Sequence, residues 1–164
     1  MKLPKNFEEY LAKGVIRKGS VNRSRAEFLI KESEKSLRGL NKRINIMKID
    51  EDNANSIIKD CYDILIELIR AKLLLDGYNS SGQFAHEAEV SYLKKLGFSD
   101  NEVAFINDLR YFRNSINYYG KILSVEYAEQ VAKFTNKIYP KLKRMIRWRR
   151  SNCSEFLQNI FEVF

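Results

Sequence analysis

Breakers are scarce in this chain: seven glycines and two prolines stand among 164 residues, and that scarcity limits its folds more than any single motif. A many-turned sandwich or barrel wants Gly, Asn or Pro at most of its hairpins. Long helices want few breakers and abundant Leu, Ile, Lys, Glu and Ala, as found here. The expectation is an all-α fold, an up-and-down bundle of four to five long helices with short N- and C-terminal helices. One domain's worth of chain buries a core without disulfides or metals. A composition 45% hydrophobic and 30% charged excludes disordered, collagen-like and loop-rich secreted classes.

The glycines punctuate amphipathic runs. Phe7 to Lys13 makes two helical turns ending near Gly14, and the apolar pair Val15 and Ile16 precedes Gly19, which together read as an N-terminal flap over residues 1–20. From Asn22 to Met47, Ala26, Leu29, Ile30, Leu37, Leu40, Ile44 and Met47 recur at three- and four-residue spacing, an amphipathic helix with Gly39 inside it. Asp50, Glu51, Asp52 and Asn53 supply a cap and first-turn acids for a third helix through Ile57, Cys61, Leu65, Leu68 and Leu75, stopping at Gly77. Its broad stripe makes it the central helix. Tyr78 to Gly82 reads as a turn cluster, and a fourth helix carries Phe84, Ala88, Tyr92 and Leu93 to Gly97. Ser99 with Glu102 is a capping box opening a fifth helix that reaches about Tyr119. Ser124 and Glu126 open a sixth, with Pro140 as a kink or end. The bundle is thus expected over 21–150, followed by an apolar helical tail over 151–164 holding Phe156, Leu157, Ile160, Phe161 and Phe164.

Lys and Arg number 29 against 21 Asp and Glu, a net +8 that favours polyanions in a general way and also maintains solubility. Cys61 and Cys153 form no CxxC pair and the single histidine cannot build an ordinary zinc site, so no metal and no cofactor are expected. No apolar run has signal-peptide or membrane-span length, which places the protein in the cytoplasm by expectation and away from membranes. Gly-rich phosphate loops, GxSxG and HExxH are absent from the sequence.

The most informative stretch is Asn107 to Lys121, NDLRYFRNSINYYGK. Val103, Ile106, Leu109 and Ile116 lie on one stripe, and Arg113 falls where an apolar residue is due, four past Leu109 and three before Ile116. Its guanidinium needs a carboxylate, a carbonyl or an incoming phosphate, and its planar fork suits all three. The neighbouring face carries Asn107, Arg110, Asn114 and Asn117, able to read phosphate or base edges. A structural ion pair or a snorkelling side chain explains the same spacing.

The run from 61 to 120, CYDILIELIRAKLLLDGYNSSGQFAHEAEVSYLKKLGFSDNEVAFINDLRYFRNSINYYG, resembles a HEPN domain, the "higher eukaryotes and prokaryotes nucleotide-binding" helical bundle. The features in order are a Tyr-containing helix ending in DGY, a His early in the next helix, and an LR-x-x-RN helix closing with Tyr-Tyr-Gly. FEEYLAKGVIRKG and the helix from Asn22 are similar to small prokaryotic, notably archaeal, members, so the resemblance spans roughly residues 7 to 146. It implies a bundle, often a homodimer whose Arg-bearing helices meet around a cleft, and in many members a metal-independent ribonuclease. It further implies a toxin-antitoxin-like setting in which a small nucleotidyltransferase serves as antitoxin.

Arg113 and Asn114 match the first two positions of the family's Arg, polar residue, His motif. The window where the His belongs reads Tyr118, Tyr119, Gly120. Cleavage at a 2′-hydroxyl needs a base, an acid and cations; histidine serves near neutral pH, while tyrosine, with a pKa of about 10, is a poor base. Phosphate binding by Arg113, oriented by Asn114, survives that change better than catalysis does. The candidate catalytic set is Arg113, Asn114, Tyr118 and His86, with Glu87 and Glu89 as further proton carriers. Arg110, Asn117 and Tyr119 are the candidate ligand-binding set. Tyr118 and Tyr119 either stack on a base or, the reading preferred for adjacent tyrosines at a helix end, pack in a dimer seam. His86 equally suits a capping or hydrogen-bonded structural role.

Lys137 to Arg150, KIYPKLKRMIRWRR, is a second feature. Lys141, Lys143, Arg144, Arg147, Arg149 and Arg150 with Trp148 form a candidate basic patch for a polyanion, Trp148 stacking on a base or under an arginine; a solvated basic helix end is the alternative. Three functions stay open: nucleotide or RNA binding by a degenerate HEPN-like protein, a metal-independent endoribonuclease, and a non-catalytic helical dimer that docks a partner protein.

Overall fold

The computed structural model describes the backbone over residues 2–161 and side chains over residues 2–146. Among these, six helices and one two-stranded ribbon form an all-α bundle. The elements are α1 (Phe7–Ala12), β1 (Ile16–Lys18), α2 (Arg23–Met47), α3 (Ala54–Leu75), β2 (Tyr78–Ser80), α4 (Ala85–Lys95), α5 (Asp100–Tyr119) and α6 (Val125–Phe161). No helix among the described residues is long and apolar enough to cross a membrane.

Local chemistry sets most of the boundaries. The Asn22 side chain accepts from Arg25 N at 3.0 Å and opens α2, which runs unbroken through Gly39. At α5, Ser99 N donates to Glu102 Oε2 at 2.8 Å and Glu102 N donates to Ser99 Oγ at 3.3 Å, the reciprocal box that satisfies two free amides. Gly120, at φ +62°, ends α5 in the left-handed region that glycine adopts without a side-chain clash. Tyr127 N donates to Ser124 Oγ at the head of α6.

The centre of the molecule is α3, packed against α2, α4, α5 and α6. Ile58, Cys61, Tyr62, Leu65, Leu68 and Ile69 have no more than traces of exposed surface, and each such aliphatic side chain contributes about 1.5–3 kcal/mol of burial free energy. Ser33 Oγ of α2 donates to the Ile64 carbonyl at 2.9 Å, so a small residue sits where these two helices meet. Burial of the Cys61 thiol pushes its pKa up to about 11, which leaves it an inert core residue.

Three expectations need correction. The flap and the Tyr78–Gly82 turn cluster are not independent loops. Ile16 pairs with Ser80, Arg17 with Asn79 and Lys18 with Tyr78 in an antiparallel ribbon, extended by Gly19 N donating to Gly77 O at 2.8 Å. Segments of three residues are too short to display a strand period, and their partners are about 60 residues away in sequence. Second, the acids 50–52 are not in the first turn of α3; the Asp50 carboxylate caps the preceding turn, accepting from Asp52 N and Asn53 N. Third, Pro140 does not end α6, and no separate tail helix begins after 150, because the helix continues to Phe161. The side chains of the apolar tail, Phe156 to Phe164, lie outside the described residues.

Candidate functional site

Asp60, Asp63, Glu67 and Arg70 fall three, four and three residues apart on α3, so they form one polar stripe along an otherwise apolar helix. All four are half-buried. Each of three engages a different neighbour: Asp60 pairs with Arg43 of α2, Asp63 with Arg113 of α5, and Arg70 with Glu89 of α4. The stripe also forms one wall of an open groove of about 560 Å³ between α2 and α3, with Glu32, Lys35 and Gly39 opposite.

Arg70 grips Glu89 with two parallel bonds, Nε to Oε1 at 2.8 Å and Nη2 to Oε2 at 3.0 Å. The Glu89 side chain is 1% exposed, and Ser80 Oγ of β2 also donates to it. This carboxylate is satisfied by fixed donors and ties β2 to α4, a structural assignment.

His86 stands beside that pair. Its Nε2 lies 3.2 Å from Arg70 Nη2 and its Nδ1 3.1 Å from the Tyr62 hydroxyl. A guanidinium nitrogen can only donate, so Nε2 accepts, and the neutral ring carries its proton on Nδ1, pointed at Tyr62. Burial, aided by Arg70 and Arg113, holds the His86 pKa below its ordinary value, against the pull of Glu89 and Asp63. The lone pair that a general base would use is therefore occupied. Tyr62 is fully buried, and its pKa is raised, chiefly by burial.

Arg113 is placed differently. Its Nε is 3.5 Å from Asp63 Oδ1, an ion pair at the outer limit of hydrogen-bond distance, and the buried Nε–H makes no well-formed hydrogen bond among the described residues. The side chain as a whole is 28% exposed. Burial raises the pKa of Asp63, which Arg113 opposes. Glu67, one turn along, is likewise raised by burial and by Asp63, and its Oε2 is buried without a hydrogen bond.

Arg110, by contrast, is committed. It donates through Nε to Asn107 Oδ1 at 3.0 Å and through Nη2 to Glu87 Oε2 at 3.3 Å, while Tyr10 Oη donates to the other Glu87 oxygen at 2.8 Å. Asn107 is buried and donates to the Lys2 carbonyl at 2.8 Å. These residues clamp the N-terminal segment to α4 and α5, and both Glu87 and Glu89 are engaged in ion pairs.

Asn114 is half-buried beside Arg113, and Asn117 is exposed. Tyr118 and Tyr119 are 74% and 85% exposed, so among the described residues nothing covers them. In the basic block, Lys141 pairs with Glu102 at 2.8 Å and lies 4.0 Å above the Phe98 ring, while Lys143 pairs with Glu34. Arg144 is exposed. Arg147, Trp148, Arg149 and Arg150 have side chains outside the described residues.

The expected residues that come together are thus Arg113 and His86, electrostatically coupled across α4 and α5. The stripe that links them was missed, although it was detectable: four charged residues at helical spacing inside the most apolar run of the chain. No protein-family model matches the chain, and no curated protein matches it.

Proposed function

We propose that this protein is a HEPN-like module that binds nucleotide or RNA phosphate at Arg113 and does not cleave it. The observation that carries the reading is the under-engaged Arg113: an Nε–H that makes no well-formed hydrogen bond among the described residues, beside a carboxylate at 3.5 Å, is a donor that an incoming phosphate oxygen satisfies. His86 supports binding over catalysis, since both its ring nitrogens are occupied by Tyr62 and Arg70. A cytoplasmic, toxin-antitoxin-like setting and a small nucleotidyltransferase as partner belong to the same proposal and rest on the resemblance.

A ribonuclease assay on mixed cellular RNA in chelator, with wild type beside Arg113→Ala after circular dichroism shows both folded, tests the non-cleaving part. No cleavage by either protein is expected. Cleavage by wild type that disappears in Arg113→Ala overturns it in favour of the endoribonuclease reading.

A second reading, a homodimer seam at the end of α5, is favoured by the exposed Tyr118 and Tyr119 with Ile122, 84% exposed, close by. Exposed large apolar side chains grouped this closely along the chain are the kind that association covers. Sedimentation velocity of the Tyr118→Ser, Tyr119→Ser double variant is expected to show monomer where wild type sediments as dimer; a monomeric wild type refutes the seam.

A further inference from the structure

The charges around Arg113 mostly cancel in pairs. Asp60 is matched by Arg43, Glu89 by Arg70 and Glu87 by Arg110. What remains beside Arg113 is Asp63 at 3.5 Å, and one turn further along α3 stands Glu67, a second carboxylate with a buried oxygen that makes no hydrogen bond among the described residues. Asp63 also lines the groove between α2 and α3, and at 3.5 Å from Arg113 Nε its charge acts on any anion held by that guanidinium.

We propose that Asp63 is a specificity-determining residue, which makes the Arg113 site take a singly charged phosphodiester in preference to a doubly charged phosphomonoester. This rests on the phosphate-binding reading and deepens it. Two terms scale differently with the charge of the ligand. The loss of hydration on entering a half-buried site grows with the square of the charge, whereas attraction to the site grows only linearly. With Asp63 offsetting Arg113, the linear attraction is too small to repay a second charge. A phosphomonoester carries about −1.5 to −2 near pH 7, and a diester carries one charge. Removing the Asp63 charge restores the attraction, and the doubly charged ligand gains more from that than the singly charged one.

The test is an NMR titration at pH 8 of uridine 5′-monophosphate and of its methyl ester, a diester of nearly the same size. Each is added to the full chain as wild type, Asp63→Asn and Arg113→Ala. Wild type is expected to bind the methyl ester at least about threefold more tightly than the monophosphate. Asp63→Asn is expected to level or reverse that ratio by tightening the monophosphate about tenfold, the effect of removing one nearby charge at a partly exposed site. Arg113→Ala is expected to bind neither. The inference alone falls if wild type and Asp63→Asn bind with the same ratio while Arg113→Ala binds neither probe. It also falls if Asp63→Asn weakens both probes, because Asp63 then positions Arg113 and does not select. If no protein binds either probe, the phosphate reading falls and the inference with it. Asp63→Ser gives the same comparison should the asparagine variant not fold.

Discussion

His86 is the only histidine in the chain, so its titration is read directly from one imidazole signal in a proton NMR spectrum. The midpoint is expected below the ordinary value of about 6.5, because burial and the neighbouring guanidinium of Arg70 disfavour the imidazolium. The linked stability has a definite sign. The unfolded chain takes up the proton first as pH falls, so the contribution of His86 is complete above about pH 6.5 and is lost as pH falls towards the folded midpoint. His86→Asn is expected to lack that loss in urea melts between pH 7.5 and 5, with Asp63 and Glu67 common to both proteins. A midpoint at or above about 6.5 would contradict burial and the Arg70 guanidinium as the groups that set the His86 titration. At this scale the sequence identified Arg113 as misplaced on an apolar stripe but not its partner. Asp63 lies 50 residues away in a helix whose apolar character hides it, and only the packing of α3 on α5 brings the two together. The residues flanking Arg113 look equally polar in sequence, yet Arg110 and Asn107 are internal clamps.

Two glycines illustrate what an element tolerates. At Gly39, inside α2, an added methyl meets nothing within 4 Å, so Gly39→Ala is expected to stabilise the protein by about 0.5–1 kcal/mol, the helix-propensity difference. At Gly77, φ is +76° and the added Cβ would stand 2.9 Å from the Gly19 carbonyl oxygen. Gly77→Ala is therefore expected to destabilise by more than about 1 kcal/mol, through left-handed strain and loss of the ribbon. Urea midpoints measure both, and a shift of the same sign in the two variants would contradict the account. Helices α2 to α5 were legible because their apolar residues repeat over several turns between recognisable caps. The ribbon was not, since three-residue strands carry no period and owe their existence to each other. The persistence of α6 through Pro140 was also hidden. A proline removes one backbone donor and disfavours continuation locally, but Ile138, Tyr139, Leu142 and Ile146, buried on both sides of it, reward continuing the helix.

At the scale of the whole molecule, the net charge of +8 attracts any polyanion, and such attraction fades with salt whatever the site. It cannot by itself distinguish a specific site from a basic surface. The basic block that carried this idea in the sequence is partly consumed within the fold, because Lys141 and Lys143 neutralise Glu102 and Glu34. The polar stripe of α3, with its salt-bridged connections to α2, α4 and α5, brings Arg113 and His86 into one environment and leaves Arg113, among the described residues, as a cation with a buried donor to spare. Whether that donor is what holds a phosphate is tested most directly by fluorescence anisotropy of a labelled single-stranded RNA against wild type and Arg113→Ala at matched salt. Binding by wild type that weakens about tenfold or more in the folded variant, the effect of removing one charge-assisted contact, is the expected result. Equal affinity of the two proteins would show that Arg113 is an interface or structural ion-pair residue and would contradict the account.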